Sequence, residues 1–272
     1  MDIVHKIEEA SEFLRRKGFG NADVGIVLGT GLGKLLDKIE VSGRVHYSQI
    51  PYFPVATMEY HAGQLVAGKI GNKKVLAMQG RFHFYEGYSM KEITFPIRVL
   101  KELGIKSLLL SNAAGGINSD YRKGDLVLIE DHINLQTENP LTGPNTAALG
   151  PRFPDMSDPY DVTIRGRLME LAQKTGVKVK EGVYVAVPGP NLETRAEYRF
   201  LKTIGGDLVG MSTVPEVIVS NHMGVPCIAV SVITDECDPD NLQPVKIEEI
   251  VAVANEADKT LSTLFEDFIS TS

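Results

Sequence analysis

The sequence predicts an α/β fold in a single domain, residues 1–272, with a largely parallel or mixed sheet covered by helices on both faces. Short runs rich in Val, Ile and Leu, bounded by glycine, recur along the chain, and several are separated by helical patterns. With 272 residues and 43% hydrophobic content there is ample material for one large core. Glycine and proline are spread evenly, with no linker, low-complexity tract or internal repeat.

The elements are predicted in order. Ile3, Ile7, Ala10 and Leu14 recur at helical spacing with charges between them, and Gly18 is a stop signal, so an amphipathic helix opens the chain. Apolar runs then predict strands at Val24 to Leu28, Lys74 to Met78, Ser107 to Leu110, Leu126 to Ile129, Val183 to Val187, Asp207 to Gly210 and Pro226 to Ile233. A single apolar stripe from Ile247 to Phe268 predicts a long closing helix.

A net charge of -7 argues against broad nucleic-acid binding, so an anion site has to be built locally. The N-terminus lacks the apolar run of a signal peptide and no stretch approaches a membrane span, so the expectation is a cytoplasmic protein without a membrane partner. Cys227 falls in an apolar run and Cys237 in an acidic loop. They form neither a disulfide framework nor a metal-ligand spacing, and no metal is expected.

Polar groups gather where strands end, which is where open α/β sheets bind ligands. Gln79 to Tyr88 places Arg81, His83 and Tyr85 at alternate positions; if extended, they project to one side, a guanidinium and an imidazole suited to an oxyanion and a phenol within reach of a hydroxyl. A surface loop in which Arg81 pairs with Glu86 is the other reading. Gly29-Thr30-Gly31-Leu32-Gly33 offers amides and a hydroxyl at an expected helix start, but it matches neither a dinucleotide fingerprint nor a triphosphate loop. Ser111 to Gly116 reads as a small-residue turn that lets a ligand approach the backbone, with Asn112 able to donate and accept.

Two capping boxes are predicted, Thr194 to Glu197 and Thr213 to Glu216, the second with Pro215 at a first helical position. Capping leaves Glu193 without a local structural duty and sets Ser212 ahead of a helix's positive end. Ser231 to Asp235 ends a strand on an acid. His61 lies in an expected loop; His5, His46, His132 and His222 have no partner that sequence can show.

In this order, Gly29 to Gly33, His61-Ala62-Gly63, Gly80 to His83, Tyr85 to Tyr88, Asn112 to Gly116, Glu193-Thr194 and Gly210 to Glu216 resemble the trimeric purine nucleoside phosphorylases over most of the chain. The resemblance implies a mixed, partly barrel-like β-sheet flanked by helices, a homotrimer, and reversible phosphorolysis of purine nucleosides in purine salvage, with inorganic phosphate as co-substrate and no cofactor. It implies a phosphate site of Thr30, Arg81, His83, the Ala113 backbone and Ser212. Tyr85, Met211 and His61 look like ribose contacts, and Asn112, Leu192, Glu193, Val209 and Asp235 like the base pocket. Catalytic parts fall to His83, Glu193 and Asp235. Phe153 matches an aromatic that closes a neighbouring subunit's pocket.

The chain also departs from that family's pattern. Members preferring 6-oxopurines have Asn where this chain has Asp235 and an aromatic where it has Leu192, and they commonly have Ser at Thr30. Ile247 aligns where many carry a histidine near the 5'-hydroxyl. An ionised Asp235 accepts hydrogen bonds only, so it suits a 6-amino group; sharing a proton with Glu193 would let it donate instead. 6-Oxopurine nucleosides remain the favoured substrates, with adenosine accepted through Asp235. An apolar 5' pocket at Ile247 makes 5'-methylthioadenosine phosphorylase the alternative. Other classes weighed are a nucleoside hydrolase, a non-catalytic nucleoside-binding protein and a dinucleotide enzyme.

Overall fold

The computed structural model describes residues 2–55 and 63–271. The chain opens with α1 (Ile3–Arg16), capped by Asp2, whose carboxylate accepts from the His5 amide at 3.0 Å. Four strands come next: β1 (Val24–Leu28), β2 (Glu40–His46), β3 (Gln64–Ile70) and β4 (Lys73–Gln79). After α2 (Met90–Glu102) come β5 (Ser107–Gly116), β6 (Leu126–Asn134), α3 (Val162–Thr175), β7 (Val179–Ala186), α4 (Arg195–Thr203), β8 (Leu208–Gly210), α5 (Val214–His222), β9 (Cys227–Glu236) and α6 (Ile247–Thr271).

The nine strands of the described residues belong to one sheet ordered β2-β3-β4-β1-β5-β8-β7-β6-β9, and β9 returns to pair with β5. β5, β8, β7, β6 and β9 therefore close into a barrel, while β1 to β4 extend from it as an open wing. β1 runs parallel to both β4 and β5, whereas β3 runs antiparallel to its neighbours and β8 antiparallel to β5, so the sheet is mixed.

β1 is buried at every position, as expected for a strand with covered faces. The sequence reading missed the pair β2–β3. β2 is an edge strand exposed over most of its length, so it carries no apolar run. In β3 the interruption is Gly68, where a side chain would collide with the Glu40 carbonyl of β2.

β5 continues through Asn112 to Gly116 where the sequence suggests a turn. It shifts register against β9 between Ala114 and Gly115, and a side chain on Gly116 would meet Ile233 at 3.0 Å. The small residues let two barrel strands come together. α6 packs back on the turn after β1, where Gly31, at φ +73°, leaves room for Ala254.

Candidate active site

The site forms where β1, β4, β5, β8 and β9 end, in a pocket that opens to solvent. Gly80, at φ +96°, turns the chain out of β4 and delivers Arg81 into the protein. Arg81 is only 2% exposed, so its charge needs a buried counter-ion, and that is Glu216 of α5, 3.1 Å from Nε. The guanidinium also donates to the Ser111 carbonyl at 2.9 Å, Ser212 Oγ at 3.1 Å and Thr213 Oγ1 at 3.3 Å.

Glu216 is thus an ion-pair partner, not the second half of a capping box. Thr213 makes no side-chain cap; α5 begins at Val214 and Pro215 is its second residue. Thr213 has φ +69° and ψ −55°, and the Val214 amide donates to the Ser212 carbonyl at 2.7 Å. This is a strained γ-turn at a β-branched residue, a conformation that costs about 1–3 kcal/mol and persists only where its surroundings impose it. Here Asn112 Nδ2 donates to Thr213 Oγ1 at 2.9 Å, and the Tyr184 hydroxyl accepts from the Ser212 amide at 3.3 Å. A side chain on Gly210 would collide with that tyrosine hydroxyl, so the glycine keeps the Ser212 amide within its reach.

The turn after β1 brings Thr30 to the pocket, but not as a helix N-terminus. The next element is a short 3-10 segment, Lys34–Lys38, and the Lys34 amide donates to Asp258 of α6 at 2.7 Å. Gly29 is required by proximity, since a side chain there would meet the Ser111 carbonyl at 2.8 Å.

His83 and Tyr85 reach the pocket through a 3-10 turn at Phe84–Glu86 instead of an extended strand. The turn stacks their rings, with centroids 4.7 Å apart and planes 10° from parallel. Glu86 bonds His83, not Arg81: one carboxylate oxygen lies 2.9 Å from Nδ1 and accepts the His83 amide at 2.9 Å. Burial, then the nearby Glu86 charge, pushes the Tyr85 phenol up to about 12.

Glu193 and Asp235 line the same pocket with Leu192, Val209 and Tyr198. Asp235 is held from both sides, accepting from Thr234 Oγ1 at 2.8 Å and Cys237 Sγ at 3.2 Å. Glu193 precedes the capping box of α4, in which Thr194 and Glu197 bond reciprocally. Burial raises its pKa above the ordinary carboxyl value, and Asp235 adds to the rise.

This raised pKa gives a stability prediction. The contribution of protonated Glu193 is complete below the unfolded carboxyl pKa and is lost as pH rises through the higher folded value. Glu193→Gln is expected to flatten that decline in denaturant-derived stability measured at a series of pH values. An unchanged slope is the contrary result.

The pocket therefore gathers Thr30, Arg81, His83, Tyr85, Asn112, Ala113, Leu192, Glu193, Val209, Met211, Ser212 and Asp235. His61 lies outside the described residues. Phe153 lies elsewhere, in a separate cleft with His132 and Met156, 85% exposed and with the Arg152 guanidinium 5.6 Å from its ring centroid. Ile247 does not line the pocket; it is exposed at the first turn of α6, and Ile250, one turn further on, lines it instead. Glu216 is hidden in the sequence by its fit to a capping pattern, and Tyr198 and Thr234, which line the pocket, carry no sequence signal of their own. Among the described residues no His, Cys, Asp and Glu cluster could hold a metal ion.

Arginine, hydroxyls and strand-end backbone share one pocket with two acids, a set whose chemistry suits an oxyanion beside a polar organic ligand, as a phosphorylase requires. The model of the phosphorylase superfamily matches residues 23–270. Purine nucleoside phosphorylase 1 of Bacillus subtilis is 49% identical over 248 residues, 91% of this chain and 92% of its own length. A Schistosoma mansoni purine nucleoside phosphorylase solved with adenosine superposes with a TM-score of 0.93 at 38% identity, covering 98% of this chain and 97% of the other. Isoform 2 from the same organism, solved with cytosine and ribose-1-phosphate, gives 0.92 at 42% identity, covering 98% and 96%. The chain belongs to the phosphorylase superfamily and, within it, to the purine nucleoside phosphorylases.

Proposed function

We propose that this protein catalyses the reversible phosphorolysis of purine ribonucleosides and deoxyribonucleosides to the free base and (deoxy)ribose 1-phosphate. The observation that carries the reading is the shared pocket: a cradle of Arg81, Ser212, Thr30, His83 and the Ala113 backbone beside the Glu193–Asp235 pair. Phosphate in the cradle sits under the sugar, which the Tyr85 phenol and Met211 contact. A phosphate oxygen attacks C1' as the bond to purine nitrogen breaks, and the electron pair leaves with the base. Positive charge grows on the sugar and negative charge on the purine, as in oxocarbenium-like glycoside cleavage. Phosphate stabilises the first, and hydrogen bonds from the base pocket stabilise the second; the proton that hydrogenphosphate gives up as its oxygen bonds C1' balances the one the leaving purine nitrogen takes up. Phosphate is the nucleophile, so the reaction as written needs no cofactor.

Asp235 offers an acceptor to a 6-amino group, so adenosine is turned over beside inosine and guanosine. The names of the relatives favour this activity over that of a 5'-methylthioadenosine phosphorylase, and Ile250 is the apolar group through which any tolerance at the 5' position would act. The exposed Phe153 ring fits a homotrimer in which it reaches a neighbouring subunit's pocket. No helix of the described residues is long and apolar enough to cross a membrane, and both cysteines are buried free thiols, in keeping with a reducing cytoplasm.

Base release from inosine, guanosine, adenosine and 5'-methylthioadenosine, measured with and without phosphate, tests the reading. Phosphate-dependent release with stoichiometric ribose 1-phosphate is expected for the first three. Release in water alone marks a hydrolase, and binding without turnover marks a nucleoside-binding protein.

A further inference from the structure

Four polar side chains run in a line from the barrel wall to the pocket, and all but the last are enclosed by protein. Ser231 and Thr213 are 0% exposed and Asn112 is 2% exposed, whereas Ser212 lines the pocket. Asn112 of β5 and Ser231 of β9 stand opposite each other in the parallel ladder. Ser231 Oγ donates to Asn112 Oδ1 at 2.7 Å, and Asn112 Nδ2 donates to Thr213 Oγ1 at 2.9 Å. Thr213 Oγ1 lies 3.1 Å from Ser212 Oγ.

The hydrogens available fix the direction of every link. Arg81 Nη1 carries two hydrogens and faces three acceptors, the Ser111 carbonyl, Ser212 Oγ and Thr213 Oγ1, so the two adjoining hydroxyls share one. Thr213 Oγ1 thus accepts from both Asn112 and Arg81, which uses both of its lone pairs. Its own proton goes to Ser212 Oγ, its remaining neighbour. Ser212 Oγ then accepts from Thr213 and Arg81, and its proton is left to point into the pocket. A hydroxyl polarised in this way is a directed donor, suited to an unprotonated oxygen of a bound anion.

The far end of the line decides the direction. Among the described residues, Asn112 Oδ1 is the one partner of the Ser231 hydroxyl, and a fully buried hydroxyl is satisfied there by donating. Turned over, the Asn112 amide would present Nδ2 to Ser231 and strand the serine proton. Thr213 would give its proton to Asn112 Oδ1, Ser212 would give its own to Thr213, and a lone pair would face the anion instead.

We propose that Ser231 is a positioning residue for anion binding: by locking the Asn112 amide it sets the polarity of the relay Ser231–Asn112–Thr213–Ser212, so that Ser212 meets phosphate as a hydrogen donor. The inference rests on the phosphate site of the phosphorolytic reading and extends it to a residue of the barrel wall that does not line the pocket.

Calorimetric titration of the full-length protein with inorganic phosphate, in the absence of nucleoside, tests the relay in wild type, Ser231→Ala, Ser231→Thr, Thr213→Val, Ser212→Ala and the double variant Ser231→Ala with Ser212→Ala. Ser231→Ala is expected to weaken phosphate binding by about three- to tenfold, the size of one modest hydrogen bond. Ser231→Thr, which keeps the donor, stays near wild type. Thr213→Val cuts the relay while keeping a β-branched side chain in the turn, and weakens phosphate even if the Ser231→Ala variant fails to fold. In the Ser212→Ala background the Ser231 substitution has no further effect, because the relay acts through that hydroxyl. Phosphate affinity unmoved in both Ser231→Ala and Thr213→Val overturns the relay, as does a Ser231→Ala loss that persists undiminished without the Ser212 hydroxyl or that threonine does not rescue. A wild-type protein that neither binds phosphate nor cleaves nucleosides in its presence strikes the functional reading itself, so the two failures are distinguishable.

Discussion

Arg81→Ala is expected to lower phosphorolysis of inosine by about a hundredfold or more, the usual cost of removing one preorganised donor to a developing charge. The guanidinium is fixed by Ser111, Ser212, Thr213 and Glu216, so in the proposed reaction it would meet the anion without reorganising. The same substitution leaves Glu216, itself 3% exposed, without its counter-ion. Breaking a buried pair from one side costs about 3–5 kcal/mol, so the variant is also expected to unfold at lower denaturant. The two effects separate in the double variant Arg81→Met with Glu216→Leu. Removing both charges should recover much of the stability, because a buried ion pair replaced by apolar groups is often neutral, while activity stays low. Initial rates at saturating phosphate and denaturant midpoints for the three proteins measure this. Near-normal turnover by Arg81→Ala at saturating phosphate would exclude the assigned role.

The parts of the site legible in the sequence are those whose chemistry is local. Arg81, Ser212, Glu193 and Asp235 stand at the ends of apolar runs, and a strand end in an α/β sheet points to a pocket whatever lies beyond. The partners of Arg81 are not legible, because each pairing joins segments distant in sequence. Glu216 satisfied a capping pattern at Thr213, yet the γ-turn there points both residues toward Arg81, a contact between segments more than a hundred residues apart. Cys237 carried only the signature of an acidic loop; its burial depends on β9 running on to Glu236 against β5. The fold divides in the same way. Buried strands showed as apolar runs, while the edge strand β2 and the small-residue end of β5 did not, since exposure and close backbone approach leave no hydrophobic signal. Closure of the barrel was reached through the family resemblance, as no periodicity encodes the β5–β9 pairing.

Asp235→Asn is expected to move the ratio of kcat/KM for adenosine over inosine toward inosine by about ten- to a hundredfold. A carboxylate accepts only, whereas the amide adds an N–H that can donate to a 6-oxo group, and the unmatched hydrogen bond costs about 1–3 kcal/mol for whichever base is left facing the wrong partner. The scaffold tolerates the change: the Thr234 hydroxyl can rotate to accept, and Cys237 sulfur is a weak acceptor, so either can meet the new amide. A second consequence arises at Glu193. Its carboxyl pKa is raised first by burial and further by the Asp235 charge, so the neutral amide removes only the smaller cause. Glu193 in the variant should therefore stay above the ordinary carboxyl range but below its wild-type value, moving any limb of the pH–rate profile that reports it to lower pH. The direction is the sign expected when a like charge beside an acid is removed. Substrate panels run across pH on wild type and variant decide the point. An unchanged adenosine-to-inosine ratio at every pH would show that Asp235 does not face the 6-position of the base, and would return the discrimination to Glu193 alone.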